Sequence, residues 1–429
     1  MIEMSEKEQA EYMVGIVLDA VEKDRGTNVD LEQISSLVIE AKSELKKRNW
    51  KKALEVATKA KDKLRVSRMT VYDQWDQRRM ESATIFIGGV GALGCEVAKN
   101  LALMGVGRII LCDYDDIELS NISRQMLFCE KDIGRKKTDV ARERLRDMNG
   151  SASVETYSQK IQELPGKLFE ECDVLVSCLD SFIPRRYLNS VSVSLEKALV
   201  DGGMEGLRGV VYVFHPPQTA CRECNPMMAR EERKAFCTLL GEARRKALGL
   251  TKEGRSVESE LDFSEYTKKE QSKKIPTFMS TTSIIAGIQT QEVVKIIQQI
   301  GQPLYGKALF YLGEGNDQGI LFSTVPLSKN PSCPACSEIA KSERVIESAN
   351  PAESFESFIT RINNRYACPD MLLFKHGMVL FDGEAFSSGE CESLPALEKT
   401  LAELDIQDGD SLVMVTSQRI NPVTITVHY

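Results

Sequence analysis

The chain has 429 residues, 12 of them cysteine, and a formal net charge of −8. That length exceeds one ordinary core and predicts about three domains, while the acidic balance excludes nucleic acid as the main partner, because phosphate binding leaves a basic footprint. No apolar run approaches the ~18 residues of a membrane span, and the opening MIEMSEKEQAEY lacks a signal-like core, so a cytoplasmic address without a membrane partner is expected.

Residues 1–66 are rich in Glu, Lys, Ala and Leu, with apolar positions at helical spacing in Tyr12, Val17 and Val21 and again in Leu54, Ala57 and Leu64. This predicts a helical N-terminal extension of two or three helices that packs on its neighbour or on a partner. Gly26-Thr27-Asn28 is a turn candidate, with Asn28 or Asp30 capping the second helix. From Thr84 the pattern changes to a β-branched run TIFI, a glycine cluster, a helical stretch Cys95–Met104 and a second apolar run RIILCDYD. Strand-like runs recur at Val154–Tyr157, CDVLVSC (172–178) and RGVVYVF (208–214), so residues 67–350 are expected to form an α/β domain on a Rossmann-like, twisted mixed sheet. The polar stretch 227–274 reads as an insertion, after which IPTFMSTTSIIAGIQTQEVVKII restores an apolar helix. A Pro/Ser/Cys segment around Asn330–Asn350 marks a boundary, and 351–429 read as a small α+β domain.

Gly89-Val90-Gly91-Ala92-Leu93-Gly94 is G-x-G-x-x-G between a strand and a helix, the arrangement that turns backbone N–H groups and a helix N-terminus toward phosphate. Asp113, ending the next strand, is placed to bind a ribose hydroxyl, which an NAD-dependent dehydrogenase also requires. Residues C-terminal to that strand separate the two readings. Arg124 and Lys137 add two cations near the loop, which suits a triphosphate better than a dinucleotide. Asp180, in the tail of CDVLVSCLDS, lies where a parallel sheet presents ligands and is a candidate for magnesium.

Cys221-Arg222-Glu223-Cys224 and Cys333-Pro334-Ala335-Cys336 are two C-x-x-C pairs. Four thiolates in a tetrahedron favour zinc in a closed, structural site that ties the domain's end to its middle. A redox-active pair is the alternative, but that motif opens a helix in a different βαβ context. Of the other cysteines, Cys95, Cys112, Cys172 and Cys178 fall in strands or on an apolar helix face, where a buried inert thiol is the default. Cys237 stands in ERKAFCTLLGEARRK, where Arg233, Lys234, Arg244 and Arg245 favour the thiolate. His215, His376 and His428 all lie elsewhere, so no general base is apparent, and the residues alone leave Cys237 evenly poised between nucleophile and ordinary thiol.

The segments GGVGALGCEVAKNLALMGVGRIILCDYDDIELSNISRQMLF, DIGRKK and CLDSFIPRRYLN resemble the adenylation domain, of the ThiF/MoeB type, shared by ubiquitin-activating enzymes and the bacterial activators of sulfur-carrier proteins. The likeness is greatest to the catalytic subunit of activating enzymes for ubiquitin-like modifiers. It implies a set of roles. Gly89, Gly91, Gly94, Asp113 and Asp115 would line the ATP site, Asn121, Arg124, Gln125 and Lys137 would handle phosphates, and Asp180 would ligate magnesium. Arg185 and Arg186 would lie near the modifier's tail. NPSCPACS is similar to the family's second zinc knuckle, and Phe236-Cys237-Thr238 to the motif of enzymes that form a thioester. The reaction so implied is adenylation of a modifier ending in Gly-Gly, capture on Cys237 and transfer to a conjugating enzyme.

The order helix, strands, short helix, Asp-Gly turn and strand in 351–429 fits a ubiquitin-like roll, and SLPALEKTLAELDIQDGDSLVMV with VTITVHY resembles the domain that recruits the conjugating enzyme. One departure bears on assembly. The family borrows an arginine from the N-terminal helix of a dimer partner within a motif like R-Y-x-x-Q, whereas VYDQWDQRR has Val71 in the first place. Arg68, Arg78 or Arg79 is left to substitute, or another subunit supplies the group, and the chain is expected to act as a homodimer or a heterodimer. A sulfur-carrier activator is disfavoured by Cys237 and the C-terminal unit, and a non-catalytic partner subunit by the retention of Asp113, Arg124, Lys137 and Asp180.

Overall fold

The structure is a computed structural model. It describes residues 4–23, 31–224, 276–316, 319–331, 333, 335–336, 343–366, 371–375, 378–382, 397–415 and 423–429. Cys237 and the expected insertion 227–274 lie outside the described residues, as does the turn at Gly26-Thr27-Asn28.

Three helices form the N-terminal part: α1 (Glu6–Lys23), α2 (Leu31–Lys46) and α3 (Trp50–Thr70). Their buried stripes, Ala10, Val14 and Val17, then Ile34, Val38 and Ala41, then Ala53, Val56, Ala57 and Ala60, recur every three or four residues, and the alanines let the helices approach closely. Helix α3 runs past residue 66 and carries the bundle into the next unit. There the Ser151 hydroxyl donates to the Asp62 carboxylate and Arg65 donates to the Asn149 side chain.

Beyond the short α4 (Gln77–Ser82), the chain builds an eight-stranded sheet in the order β3-β2-β1-β4-β5-β6-β7-β8. Its strands are β1 (Thr84–Gly88), β2 (Arg108–Cys112), β3 (Ser153–Tyr157), β4 (Val174–Ser177), β5 (Ala198–Glu205), β6 (Arg208–Phe214), β7 (Lys307–Asn316) and β8 (Gly319–Pro326). From β3 to β5 neighbours are parallel; from β5 to β8 they are antiparallel. Alternation along β1 sends Ile85 and Ile87 to one face and Phe86 to the other. On the first face α5 (Ala92–Leu103), α6 (Lys137–Met148) and α9 (Met279–Gln298) add Val97, Leu101, Val140, Ile285 and Val293. On the second, α7 (Gly166–Glu170) and α8 (Phe182–Ser194) add Phe169 and Leu188. Strand β1 sits between β2 and β4, so the strand order reverses at its carboxyl end, the place where open α/β sheets bind ligands.

The C-terminal sheet has five strands in the order β11-β10-β12-β13-β9. Here β9 (Glu343–Ser348) runs parallel to β13 (Val423–His428), while β12 (Ser411–Val415), β10 (Leu372–Lys375) and β11 (Met378–Asp382) are antiparallel to their neighbours. Phe355, Phe358, Ile359 and Ile362 of α10 (Phe355–Tyr366) share a core with Leu373, Leu412, Met414 and Ile425. This sheet starts in the segment read from sequence as a boundary, since β9 precedes residue 351.

Candidate nucleotide and metal sites

Three elements converge at the carboxyl end of β1. The glycines of the loop differ in what holds them. Gly89 has φ +88°, and a Cβ there would lie 2.7 Å from the Cys178 carbonyl oxygen; a Cβ on Gly94 would overlap the Gly89 carbonyl. Both are needed by the fold. Gly91, the N-cap of α5, has extended backbone, and a Cβ there would meet nothing nearer than the Gln125 side-chain nitrogen at 4.0 Å. Packing does not require glycine at this position; a ligand approaching the helix N-terminus would.

Asp113 directly follows β2 and is fixed by two backbone donors, Val90 N–H to Oδ2 (2.7 Å) and Asp115 N–H to Oδ1 (2.9 Å). The carboxylate thus grips the glycine loop and still has lone pairs free for a ribose hydroxyl. Burial pushes its pKa up, against the pull of Lys137 and of the two N–H groups. Lys137 opens α6 with a buried side chain, and its ammonium donates to Asp115 Oδ2 at 2.6 Å. Burial works against that charge, but Asp113, Asp115 and Asp180 outweigh it and raise the lysine's pKa. Asp180, exposed after β4, therefore lies within electrostatic reach of Lys137, and it also acts on Tyr114.

The segment after β2 folds into a 3₁₀ turn at Leu119–Asn121. Asn121 is buried and caps the turn through its Oδ1, which accepts from Glu118 N–H at 3.1 Å. The Arg124 guanidinium donates to the Ser120 carbonyl, and Gln125 is buried against the glycine loop. The Gln125 Oε1 is buried and meets no hydrogen-bonding group among the described residues. An unmet acceptor beside an open helix N-terminus fits a ligand that brings a hydroxyl or amino donor there. The structure therefore brings Gly91, Asp113, Asp115, Gln125, Lys137 and Asp180 to one end of the sheet. Arg185 and Arg186, expected near a modifier's tail, are instead buried and paired inside the domain, Arg185 with Asp201 at 3.3 Å and Arg186 with Glu223 at 2.8 Å.

The four thiols of Cys221, Cys224, Cys333 and Cys336 are buried, with their sulfurs all within 4.8 Å of one another. Cys221 and Cys333 stand 3.7 Å apart, and Cys224 and Cys336 3.4 Å. A tetrahedron with metal–sulfur bonds of about 2.3 Å has edges of about 3.8 Å, so the donor set fits zinc in size and chemistry. The sequence reading missed Asp201, Asn189 and the pair Arg222-Glu223 between the first two cysteines. Two opposite charges inside a C-x-x-C turn were the available signal.

Residues 64–335 match the ThiF family, to which this chain belongs. It is 35% identical over 171 residues to the NEDD8-activating enzyme E1 catalytic subunit of Saccharomyces cerevisiae, covering 37% of this chain and 57% of that protein. The subunit of the same name from Caenorhabditis elegans is 25% identical over 397 residues, 81% of this chain and 90% of that protein. The solved structure of Escherichia coli MccB shares the fold, with a TM-score of 0.51 at 23% identity over 64% of this chain and 73% of that one. The expected family and its α/β adenylation-type sheet are thus borne out. No described helix is long and apolar enough to cross a membrane.

Proposed function

We propose that this chain is an ATP-dependent activating enzyme for a ubiquitin-like modifier ending in Gly-Gly. The observation that carries the reading is the convergence of the glycine loop, Asp113, Lys137 and Asp180 at the switch point of the sheet. The named relatives, NEDD8-activating catalytic subunits, support it.

In this reading Asp113 holds the ribose, while the backbone N–H groups of the open helix N-terminus at Gly91 and the Gln125 side-chain amide nitrogen, which faces Gly91, donate to phosphate oxygens. Lys137 and Arg124 neutralise charge as an oxygen of the modifier's carboxylate attacks the α-phosphorus and pyrophosphate departs. Asp180 would hold magnesium, which supplies further charge neutralisation on the phosphates. The product is a mixed anhydride with AMP as a good leaving group. A thiolate at Cys237 then attacks the acyl carbon, the bond to AMP breaks, and the thioester remains reactive enough to pass to a second thiol. Cys221, Cys224, Cys333 and Cys336 would hold zinc as a structural staple.

The same reading assigns residues 351–429, with the strand that precedes them, to recruitment of the conjugating enzyme. It also assigns the chain to the cytoplasm and to a homodimer or heterodimer. One relative, the adenylyltransferase and sulfurtransferase MOCS3 of Culex quinquefasciatus (34% identical over 149 residues), keeps a second reading open, adenylation of a sulfur carrier without a thioester. Incubation with ATP, magnesium and Gly-Gly-terminated modifiers decides between them. A modifier adduct seen on non-reducing gels and lost with thiol reductant supports activation through Cys237; adenylation without any adduct supports the sulfur-carrier reading.

A further inference from the structure

The first cysteine pair brackets two charged residues that are both buried, Arg222 and Glu223, held in one 3₁₀ turn. Cys221 and Cys224, which would hold the metal with Cys333 and Cys336, flank these two residues, so an ion bound there would restrain their backbone. The Arg222 N–H donates to Asn189 Oδ1 of α8 at 2.8 Å, and its guanidinium pairs with the Asp201 carboxylate of β5. Asp201 is shared, its Oδ1 lying 3.3 Å from Arg185 Nη1. Arg185 in turn donates from Nη2 to the Gly202 carbonyl (3.0 Å) and from Nε to the Leu179 carbonyl (2.7 Å). Leu179 is the residue before Asp180. In parallel, Glu223 accepts from Arg186 Nη2 at 3.0 Å, so the turn holds Arg186 directly and reaches Arg185 through the shared Asp201.

We propose that Arg222, Asp201 and Arg185 form a buried relay by which the occupied cysteine site positions Asp180 for magnesium and ATP. Arg222 and Arg185 are positioning residues and touch no substrate. The proposal rests on the reading of Asp180 as the magnesium ligand. Its physical basis is that buried ion pairs tolerate few arrangements: a member that moves leaves a charge uncompensated, so the network holds one geometry. Since Arg185 bonds the backbone beside Asp180, that geometry includes the carboxylate's mounting point.

The test titrates magnesium into the full-length protein and follows ATP binding by calorimetry, with zinc content and thermal melting measured alongside. Arg222→Met leaves Asp201 paired with Arg185. It is expected to retain zinc and to raise the magnesium concentration for half-maximal ATP binding about tenfold, as loss of an outer-shell partner does elsewhere, while magnesium-free ATP affinity stays near wild type. Arg222→Lys, which keeps the charge, is expected to restore most of the effect. Arg185→Met, which leaves Asp201 paired with Arg222 and removes the bond to the Leu179 carbonyl, supplies the same readout if Arg222→Met does not fold. In the wild type, chelation of zinc should speed amide hydrogen exchange at residues 179–186. Asp180→Ala is the control for the underlying reading. If it shifts the magnesium midpoint while Arg222→Met and Arg185→Met do not, the relay is overturned and the reading of Asp180 stands. If Asp180→Ala itself leaves the midpoint unchanged, the magnesium assignment falls and the relay with it.

Discussion

Gly91→Ala and Gly94→Ala should fail in opposite ways, although the residues lie three apart in one motif. A Cβ on Gly94 overlaps the backbone of Gly89, which cannot swing aside as a side chain would. Overpacking of this kind costs about 1–3 kcal/mol. The Gly94→Ala melting temperature should therefore fall by several degrees. At Gly91 a Cβ has 4.0 Å to its nearest neighbour, and φ −82° with ψ −152° is open to alanine. The small loss of N-cap preference is offset by the roughly 0.4–1 kcal/mol gained from a stiffer unfolded chain. Stability should be unchanged within about 1 kcal/mol. ATP binding should respond instead, because under the proposed function a methyl group at the helix entrance would displace phosphate from the backbone N–H groups. Losing one hydrogen bond to a charged group costs about 1.5–3 kcal/mol, or roughly 10–100-fold in affinity. Thermal melting and calorimetric ATP titration of both variants read this out. A Gly91→Ala protein that binds ATP like wild type, or that melts as low as Gly94→Ala, refutes the assignment of the loop as a phosphate seat.

Asp180 is exposed, so Asp180→Ala should keep its fold by circular dichroism while losing modifier-dependent pyrophosphate exchange into ATP. Cys333→Ser removes one of four buried thiols and should lower stability sharply; metal analysis of gently purified wild type should find about one zinc per chain. Burial pushes Cys112, Cys172 and Cys178 up to about 12 and Cys95 higher still, so a short iodoacetamide pulse on native protein at neutral pH should spare all four and label Cys237. Cys237→Ser should retain adenylation and fail to form a reductant-labile adduct, since serine is a poor nucleophile and yields only a resistant oxyester.

Much of this was legible in the sequence because the chain obeys simple periods. The apolar runs at β1, β2, β4 and β6 and the helical stripe of α9 read directly, since each is buried. Strand β5 was missed because its Asp-Gly-Gly reads as a breaker, yet Asp201 is held there by two arginines. Strand β8 was missed because every residue of it is exposed at the sheet's edge, where no inward face imposes alternation. The opening of the C-terminal sheet was hidden because ERVIES pairs only with the last strand, far away in sequence. At the site, motif spacing located Asp113, Lys137 and the cysteines. The partners of Arg185 and Arg186 could not be read, because they depend on tertiary neighbours from β5 and the cysteine turn.

The proposed function rests on adenylation of a modifier's carboxylate at the end of β1. It is tested most directly by exchange of labelled pyrophosphate into ATP with magnesium and a panel of Gly-Gly-terminated modifiers. The expected exchange requires the modifier, persists in Cys237→Ser and vanishes in Asp180→Ala. Exchange that ignores the modifier, or that survives loss of Asp180 undiminished, would contradict it.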